Sequence, residues 1–252
     1  MDRPIARTGY ATADLAYIHD AGFGFHPRAA TEELLRYLRG AGHEQGLVVD
    51  LGCGTGILSR IMGDAGYEVL GHDQSAEMLK IARRNAPQAR FKRASFVDVD
   101  FPECVAVTAV GEVLGYAFDS RARRPAIRSL FHRVRAALRP GGVFPVRRRG
   151  AGSRSGAGVR RTLFEGEDWT ICSEAAEDRS ARTLRRHSVF FRRHDGGYRR
   201  GAELHVLNLL EPGDVADDLA AAGFRVRRLR HYGDLRLPRG LNGFLATVRR
   251  GG

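Results

Sequence analysis

The residues "DLGCGTG" at 50–56 carry the strongest chemical signal in the chain. Gly52, Gly54 and Gly56 stand on alternate positions where an apolar run ends and a helical pattern begins. Without Cβ atoms they let the backbone bend tightly and come close to a ligand. Asp50 opens the loop, and Asp73 closes the next apolar run, "YEVLGHD". A carboxylate at such a strand end accepts two hydrogen bonds and suits a ribose diol. The glycine spacing narrows the ligand. A dinucleotide loop reads Gly-x-Gly-x-x-Gly, with a pyrophosphate at the helix N-terminus, and here the third glycine comes one residue early. A phosphate cradle needs Gly-Lys followed by Ser or Thr, which this loop lacks. The pattern points to a ligand without a pyrophosphate.

Such residues need strands and helices to position them. "GLVVDL" (46–51) is a short continuous apolar run, as expected of a strand buried on both faces of a parallel sheet. Helical spacing follows at Ile57, Leu58, Ile61 and Met62. Ser75 is placed to cap a helix over 76–85. "ARFKRASF" (89–96) and "VAVTAV" (105–110) read as the third and fourth strands. "PAIRSLFHRVRAAL" (125–138) is an amphipathic helix, and "RPGG" (139–142) is a turn before "VFPV" (143–146). Two helical patterns lie within residues 12–39. Strand–helix alternation argues for a doubly wound α/β domain. After residue 160 the texture changes to several strands with turns near Asp178 and "DGG" (195–197). That stretch is expected to form an antiparallel lobe over 160–210, followed by a closing helix and strands over 211–252.

At 252 residues and 43% hydrophobic, the chain can build one sizeable core. No apolar stretch approaches the ~20 residues that span a bilayer. The N-terminus lacks the layout of a secretory signal. Three widely spaced cysteines suggest neither a disulfide framework nor a metal site, so the expected location is the cytoplasm and no metal is expected. The formal net charge of +12 raises nucleic acid as a partner. Only Lys80 and Lys92 are lysines, however, and the other basic residues are arginines, a bias that GC-rich coding also gives.

Taken together, "VVDLGCGTG", "VLGHDQS" and "LRPGG" resemble the class I S-adenosylmethionine-dependent methyltransferases, over about residues 30–145 plus the final helix and strands. The resemblance implies a Rossmann-like, mostly parallel seven-stranded sheet, with the antiparallel lobe inserted after the fifth strand. It implies S-adenosylmethionine as cofactor, with Asp50 and the backbone of Gly52, Cys53 and Gly54 along its methionine part. Asp73 would bind the ribose hydroxyls, Gln74 and Met78 would sit against the adenine, and Ser95 and Phe96 would flank the adenine edge. Many relatives carry an acidic residue where Ser95 stands. Val110, Gly111 and Glu112 fall in the segment that faces the sulfonium and the acceptor. The segment 1–40 would fold over the core (41–146) as a lid, bringing Tyr17 and Arg28 to the methionine end.

Methyl transfer from a sulfonium is an in-line displacement, and a base near the methyl group can take the acceptor's proton. His19 and Glu112 lead the candidates, ahead of His26, Tyr116, His205 and His231. Neither the Asp/Asn-Pro-Pro-aromatic motif of amine-methylating nucleic-acid enzymes nor the Pro-Cys of cytosine-carbon enzymes follows the fourth strand, where the sequence reads "AVGEVLGY". This favours a small-molecule oxygen or nitrogen nucleophile. The alternatives are a binding protein without catalysis and an RNA or protein methyltransferase. A homodimer through the inserted lobe is a further expectation.

"VFPVRRRGAGSRSGAGVRR" (143–161) does not fit a fifth strand. Pro145 interrupts it and three arginines follow, which predicts a mobile basic loop. Such a loop could clamp an anionic substrate. Codons for "PVRRRGAG" can also be chosen so that a one-base shift reads Leu-Phe-Asp-Val-Ala-Gly-Pro-Gly, the mark of a compensated frameshift.

Overall fold

A computed structural model describes residues 11–150, 158–238 and 240–249. Two helices lead, α1 (Ala13–Gly22) and α2 (Phe25–Gly40). The core then alternates: β1 (Leu47–Leu51), α3 (Ile57–Asp64), β2 (Glu68–Asp73), α4 (Ala76–Asn85), β3 (Arg90–Arg93), β4 (Cys104–Thr108), α5 (Arg124–Ala137) and β5 (Leu138–Arg149). Four long strands follow: β6 (Arg160–Glu165), β7 (Trp169–Asp178), β8 (Thr183–His194) and β9 (Gly197–Asn208). The chain closes with α6 (Pro212–Ala221), β10 (Arg225–Leu229), the short pair β11 (His231–Tyr232) and β12 (Leu235–Arg236), and β13 (Leu241–Thr247).

The main sheet has seven strands in the order β10-β13-β5-β4-β1-β2-β3. Strands β1 to β5 run parallel, while β13 is antiparallel to both β5 and β10. It is a Rossmann-like, mostly parallel sheet with an antiparallel sheet inserted after β5. β1 explains why its sequence is a continuous apolar run. Val49 and Leu51 pack on one face with Leu130 and Phe131 of α5 and Leu219 of α6. Val48 packs on the other face with Leu34 and Leu38 of α2 and Leu58 and Met62 of α3. Ser75 caps α4, its Oγ accepting from Met78 N at 3.2 Å.

The inserted strands form a meander, β6-β7-β8-β9, antiparallel throughout. Its inner face meets α1: Trp169, Ile171 and Phe190 pack on Leu15 and Ile18. Beside that contact Asp14 is buried among Arg199, Arg192 and His194. Arg199 donates to both carboxylate oxygens, at 2.5 and 2.6 Å, which holds the Asp14 carboxyl below its usual range. On its other flank α1 packs through Ala16 on Met78 and Ile81 of α4. α1 is thus a wall held on both sides.

The fifth strand departs from expectation. The "RPGG" turn is absorbed into β5, at a register shift against β4, and Gly141 supplies the positive φ of 79° that this irregularity needs. Pro145 does not end the strand. Its carbonyl accepts from Ala109 N at 3.0 Å, and it stands in register with Leu245 of β13. Arg147, Arg148 and Arg149 continue the pairing with β13, so the loop expected after residue 146 begins only after the strand ends at Arg149. Residues 151–157 of that loop, and 1–10 of the expected lid, lie outside the described residues. No helix among the described residues is long and apolar enough to cross a membrane.

Candidate functional site

The glycine loop leaves β1 at the carboxyl edge of the sheet, where a topological switch between β1 and β4 opens a crevice. Its three glycines serve different ends. Gly54 has φ +55°, and a Cβ there would meet no atom within 4 Å, so its open side is available to a ligand. A Cβ on Gly52 would lie 2.1 Å from Val113 Cγ2, so this position admits the segment after β4. A Cβ on Gly56 would lie 3.0 Å from the Cα of Ala82, so the third glycine seats the loop against α4. Asn85, at the end of α4, donates to Thr55 O and to Asp20 of α1, both at 2.9 Å, and fixes the loop from outside.

The two aspartates are buried at 2% and 3% exposure. Asp73 accepts from Gly54 N and Ser75 N, each at 2.9 Å, and burial still raises its carboxyl to about 6. Asp50 accepts from Thr108 Oγ1 at 2.6 Å and Ser59 Oγ at 3.3 Å, which tie it to β4 and α3. Burial outweighs those bonds and pushes its carboxyl up to about 7. Each carboxylate keeps lone pairs for further donors. Cys53 is buried in the loop, and burial raises its thiol well above its ordinary value, so it is protonated and inert.

Two openings flank this loop. A narrow cleft is lined by Asp73, Gln74, Phe96, His72 and Phe118. A cavity of about 410 Å³ lies on the other side, bounded by Asp50, the loop from Gly52 to Thr55, Val110, Gly111 and Glu112. α1 contributes Leu15, His19 and Phe23 to its wall, α2 contributes His26, and the inserted sheet contributes Thr162, Ile171, Arg186, Ser188 and His205. The paired openings fit an extended ligand with a diol on the cleft side and a second molecule on the cavity side.

Most of the residues singled out from sequence meet here. Gln74 and Phe96 line the cleft, but Met78 lines the cavity and packs under α1, on the other side from Gln74. Ser95 is half-buried beside the cleft, its Oγ accepting from Val97 N at 3.4 Å. Tyr17 is not brought in. Its ring lies 3.5 Å below the guanidinium of Arg192, on the outer side of α1, because α1 turns Leu15 and His19 inward instead. Arg28 is exposed on α2, outside the cavity, whose wall there is His26 and Pro27.

The two proton-acceptor candidates differ sharply. Burial pushes the Glu112 carboxyl up, but Arg186 and Arg149 overcome it and hold it at about 2. Arg149 Nε donates to one oxygen at 2.5 Å and Arg186 to the other at 2.7 Å. Glu112 is therefore an ion-paired anchor and a very weak base. His19 lies on the cavity wall, and burial, aided by His205 and Arg186, lowers it to about 4, so it is neutral at ordinary pH. His205 also faces the cavity. Its Nε2 sits 3.0 Å from the buried Glu203, which accepts from Ala11 N and Thr12 N as well.

Arg147, Arg149 and Arg160 fall in the segment read from sequence as a basic loop able to clamp an anion, whereas Arg186 was not singled out. Arg147, Arg149, Arg160 and Arg186 all border the cavity. Two come from the strand extension that Pro145 seemed to forbid, and Arg186 comes from a lobe strand whose placement no local pattern encodes.

Comparison with known proteins agrees with this geometry. The family described as a methyltransferase domain matches residues 48–142. A ubiquinone biosynthesis O-methyltransferase of Idiomarina loihiensis is 33% identical over 81 residues, 31% of this chain and 30% of its own length. The chain thus spans under a third of that curated relative. Among solved structures, a S-adenosylmethionine-dependent methyltransferase of Clostridium acetobutylicum superposes with a TM-score of 0.78 at 17% identity, covering 94% of this chain and 98% of that one. A sugar N-methyltransferase of Streptoalloteichus gives 0.74 at 22% identity, covering 99% of each. An amino pentose methyltransferase of Micromonospora echinaspora, solved with S-adenosylmethionine bound, gives 0.72 at 22% identity, covering 96% and 98%. At these identities the structures establish the shared fold.

Proposed function

From a chain whose residues 48–142 are a class I S-adenosylmethionine-dependent methyltransferase domain, we propose methyl transfer to an oxygen or nitrogen atom of a small molecule. One observation carries the reading: the glycine loop separates a narrow cleft at Asp73 from a cavity of about 410 Å³ at Asp50 and Gly111. Asp73 would hold the ribose hydroxyls, Gln74 and Phe96 the adenine, and Asp50 with the loop backbone the methionine part. When bound, the cofactor supplies an electrophilic methyl group. The chain's share is alignment of the nucleophile with that group and exclusion of water. His19 lines the cavity in its neutral form, able to accept a hydrogen bond from an acceptor hydroxyl or amine, while burial makes it a weak base. Glu112 holds Arg149 and Arg186 in position. A sugar N-methyltransferase and a ubiquinone biosynthesis O-methyltransferase among the similar proteins, with a cavity of this size, support a small-molecule acceptor.

Calorimetry with S-adenosylhomocysteine tests the shared premise, and turnover against a panel of metabolites tests catalysis. Binding without turnover on any hydroxyl or amine would favour a non-catalytic holder of the cofactor.

Asp50 gives this reading a pH signature. The fold favours its neutral form, so the unliganded protein loses stability as pH rises through about 7. An ammonium group beside Asp50 would draw its carboxyl down, and binding would then release a proton. Affinity for S-adenosylhomocysteine should rise from pH 5 to about 7 and level off above. Titration at pH 6 in two buffers of different ionisation enthalpy measures the released proton; no release removes Asp50 from the ammonium site.

The outer face of the inserted sheet supports a homodimer. Leu163 pairs in register with Cys172 and Cys172 with Val189, an apolar row across three strands. Leu163 is 58% exposed, and Phe191 and Cys172 are exposed beside it. Light scattering should give a dimer that Leu163→Lys converts to a monomer. A monomeric parent protein would sink this assembly.

A further inference from the structure

Among the described residues, Arg147 is a buried cation without a salt-bridge partner. It borders the cavity and is only 7% exposed, yet its Nε and one terminal nitrogen have no hydrogen-bond partner. Its neighbour on the same face of β5 is treated differently: Arg149 is matched by Glu112, which also takes up Arg186. Glu112 is thereby fully engaged and leaves Arg147 alone. Two other buried polar atoms near it are also without partners, Nδ1 of His26 on α2 and the hydroxyl of Tyr232 on β11. Burial is the larger influence on both, lowering His26 and raising Tyr232, and the Arg147 charge acts on each of them against protonation, which places all three within one electrostatic neighbourhood. Water in the cavity can satisfy the hydrogen bonds of a buried guanidinium but leaves its charge unneutralised, which costs stability. A bound anion would satisfy both, in the bidentate geometry that guanidinium favours.

The position assigns this anion to the acceptor rather than the cofactor. The glycine loop follows β1, and β5 lies two strands away beyond β4, about 10 Å across the sheet. Arg147 therefore stands behind the segment Val110–Glu112, on the side away from the cleft.

We propose that the methyl acceptor carries an acid group, a carboxylate or a phosphate ester, held by Arg147 with His26, which also lines the cavity, as an added partner. This rests on the reading of the cavity as the acceptor site. The acid group lies remote from the reacting atom and fixes its approach.

The experiment uses the full chain saturated with S-adenosylhomocysteine, titrated calorimetrically with inorganic phosphate, with benzoate and with benzyl alcohol. At least one anion should bind and benzyl alcohol should not; phosphate alone indicates a phosphate ester, benzoate alone a carboxylate. Arg147→Met should weaken anion binding tenfold or more and leave S-adenosylhomocysteine affinity within twofold. Arg147→Lys should retain part of the anion affinity. In melting experiments Arg147→Met should raise the unliganded midpoint, because a buried charge is gone, and abolish the gain that the anion gives. A cofactor-loaded parent protein that binds neither anion overturns the proposal, as does an Arg147→Met protein that binds them unchanged. A tenfold loss of S-adenosylhomocysteine affinity with anion binding intact assigns Arg147 to the cofactor's own carboxylate, and also overturns it. Failure of S-adenosylhomocysteine to bind at all would instead refute the methyltransferase reading.

Discussion

Asp73→Ala should lower the affinity for S-adenosylhomocysteine by roughly a hundredfold, the effect of losing two hydrogen bonds to a charged acceptor at about 1.5 kcal/mol each. The carboxylate is buried at the end of β2 and already oriented by Gly54 N and Ser75 N, so a diol entering the cleft meets a fixed acceptor. That preorganisation is why the loss should be large. Asp73→Asn keeps one accepting oxygen for Gly54 N and should lose about tenfold. Because burial raises Asp73 to about 6, the parent affinity should weaken below that pH, and the Ala variant should lack this dependence. Circular dichroism establishes that the variants fold, and calorimetry reads the constants. Unchanged binding in Asp73→Ala would remove the ribose role and with it the assignment of the cleft.

Arg148→Met should make the protein more stable. Arg148 is 2% exposed and points to the face of β5 opposite Arg147, toward the α5 and α6 layer. It donates to Leu114 O and, at 3.2 Å, to Asn208 O, while its Nε has no partner. No carboxylate pairs with it among the described residues. Burial alone lowers it to about 10, so the folded state carries a charged group it disfavours by on the order of 3 kcal/mol. A methionine of similar volume removes the charge and keeps the packing. A gain of about 2 kcal/mol in a domain of this size raises the melting midpoint by roughly 4–8 °C. Arg148→Val, the residue that the shifted reading frame would place at this step, should gain less because it leaves a void. A lower midpoint in Arg148→Met would mean that the two carbonyls need the guanidinium more than the core rejects it. The adjacent arginines thus separate cleanly: one faces a cavity where a ligand can neutralise it, the other a layer where nothing can.

The part of the fold governed by local rules was legible. β1 and β4 announce themselves by unbroken apolar runs, α5 by its spacing, and α4 by the Ser75 cap. The placement of Gly54, Asp50 and Asp73 was legible for the same reason, since they sit at strand ends that sequence alone can place. β5 was not, because its continuation past Pro145 depends on β13, a partner a hundred residues away that accepts it in register. The cavity wall depends on similar distant choices. Glu112 reads as a free carboxylate until β8 brings Arg186 to it, and Tyr17 reads as a pocket residue until Arg192 claims its ring. Which face of α1 looks inward is decided by Trp169 and Phe190, not by α1 itself.

The helix α1 is bonded on one flank through Asp14 to the inserted sheet and on the other through Ala16 and Asp20 to α4. The two flanks differ in what can reach them: the arginines around Asp14 are partly exposed and therefore open to screening by salt, whereas Ala16 is packed dry against Met78 and Ile81. Ionic strength thus acts on one hinge of this wall and not on the other, so the same helix answers to the solvent on one side and to packing alone on its apolar side.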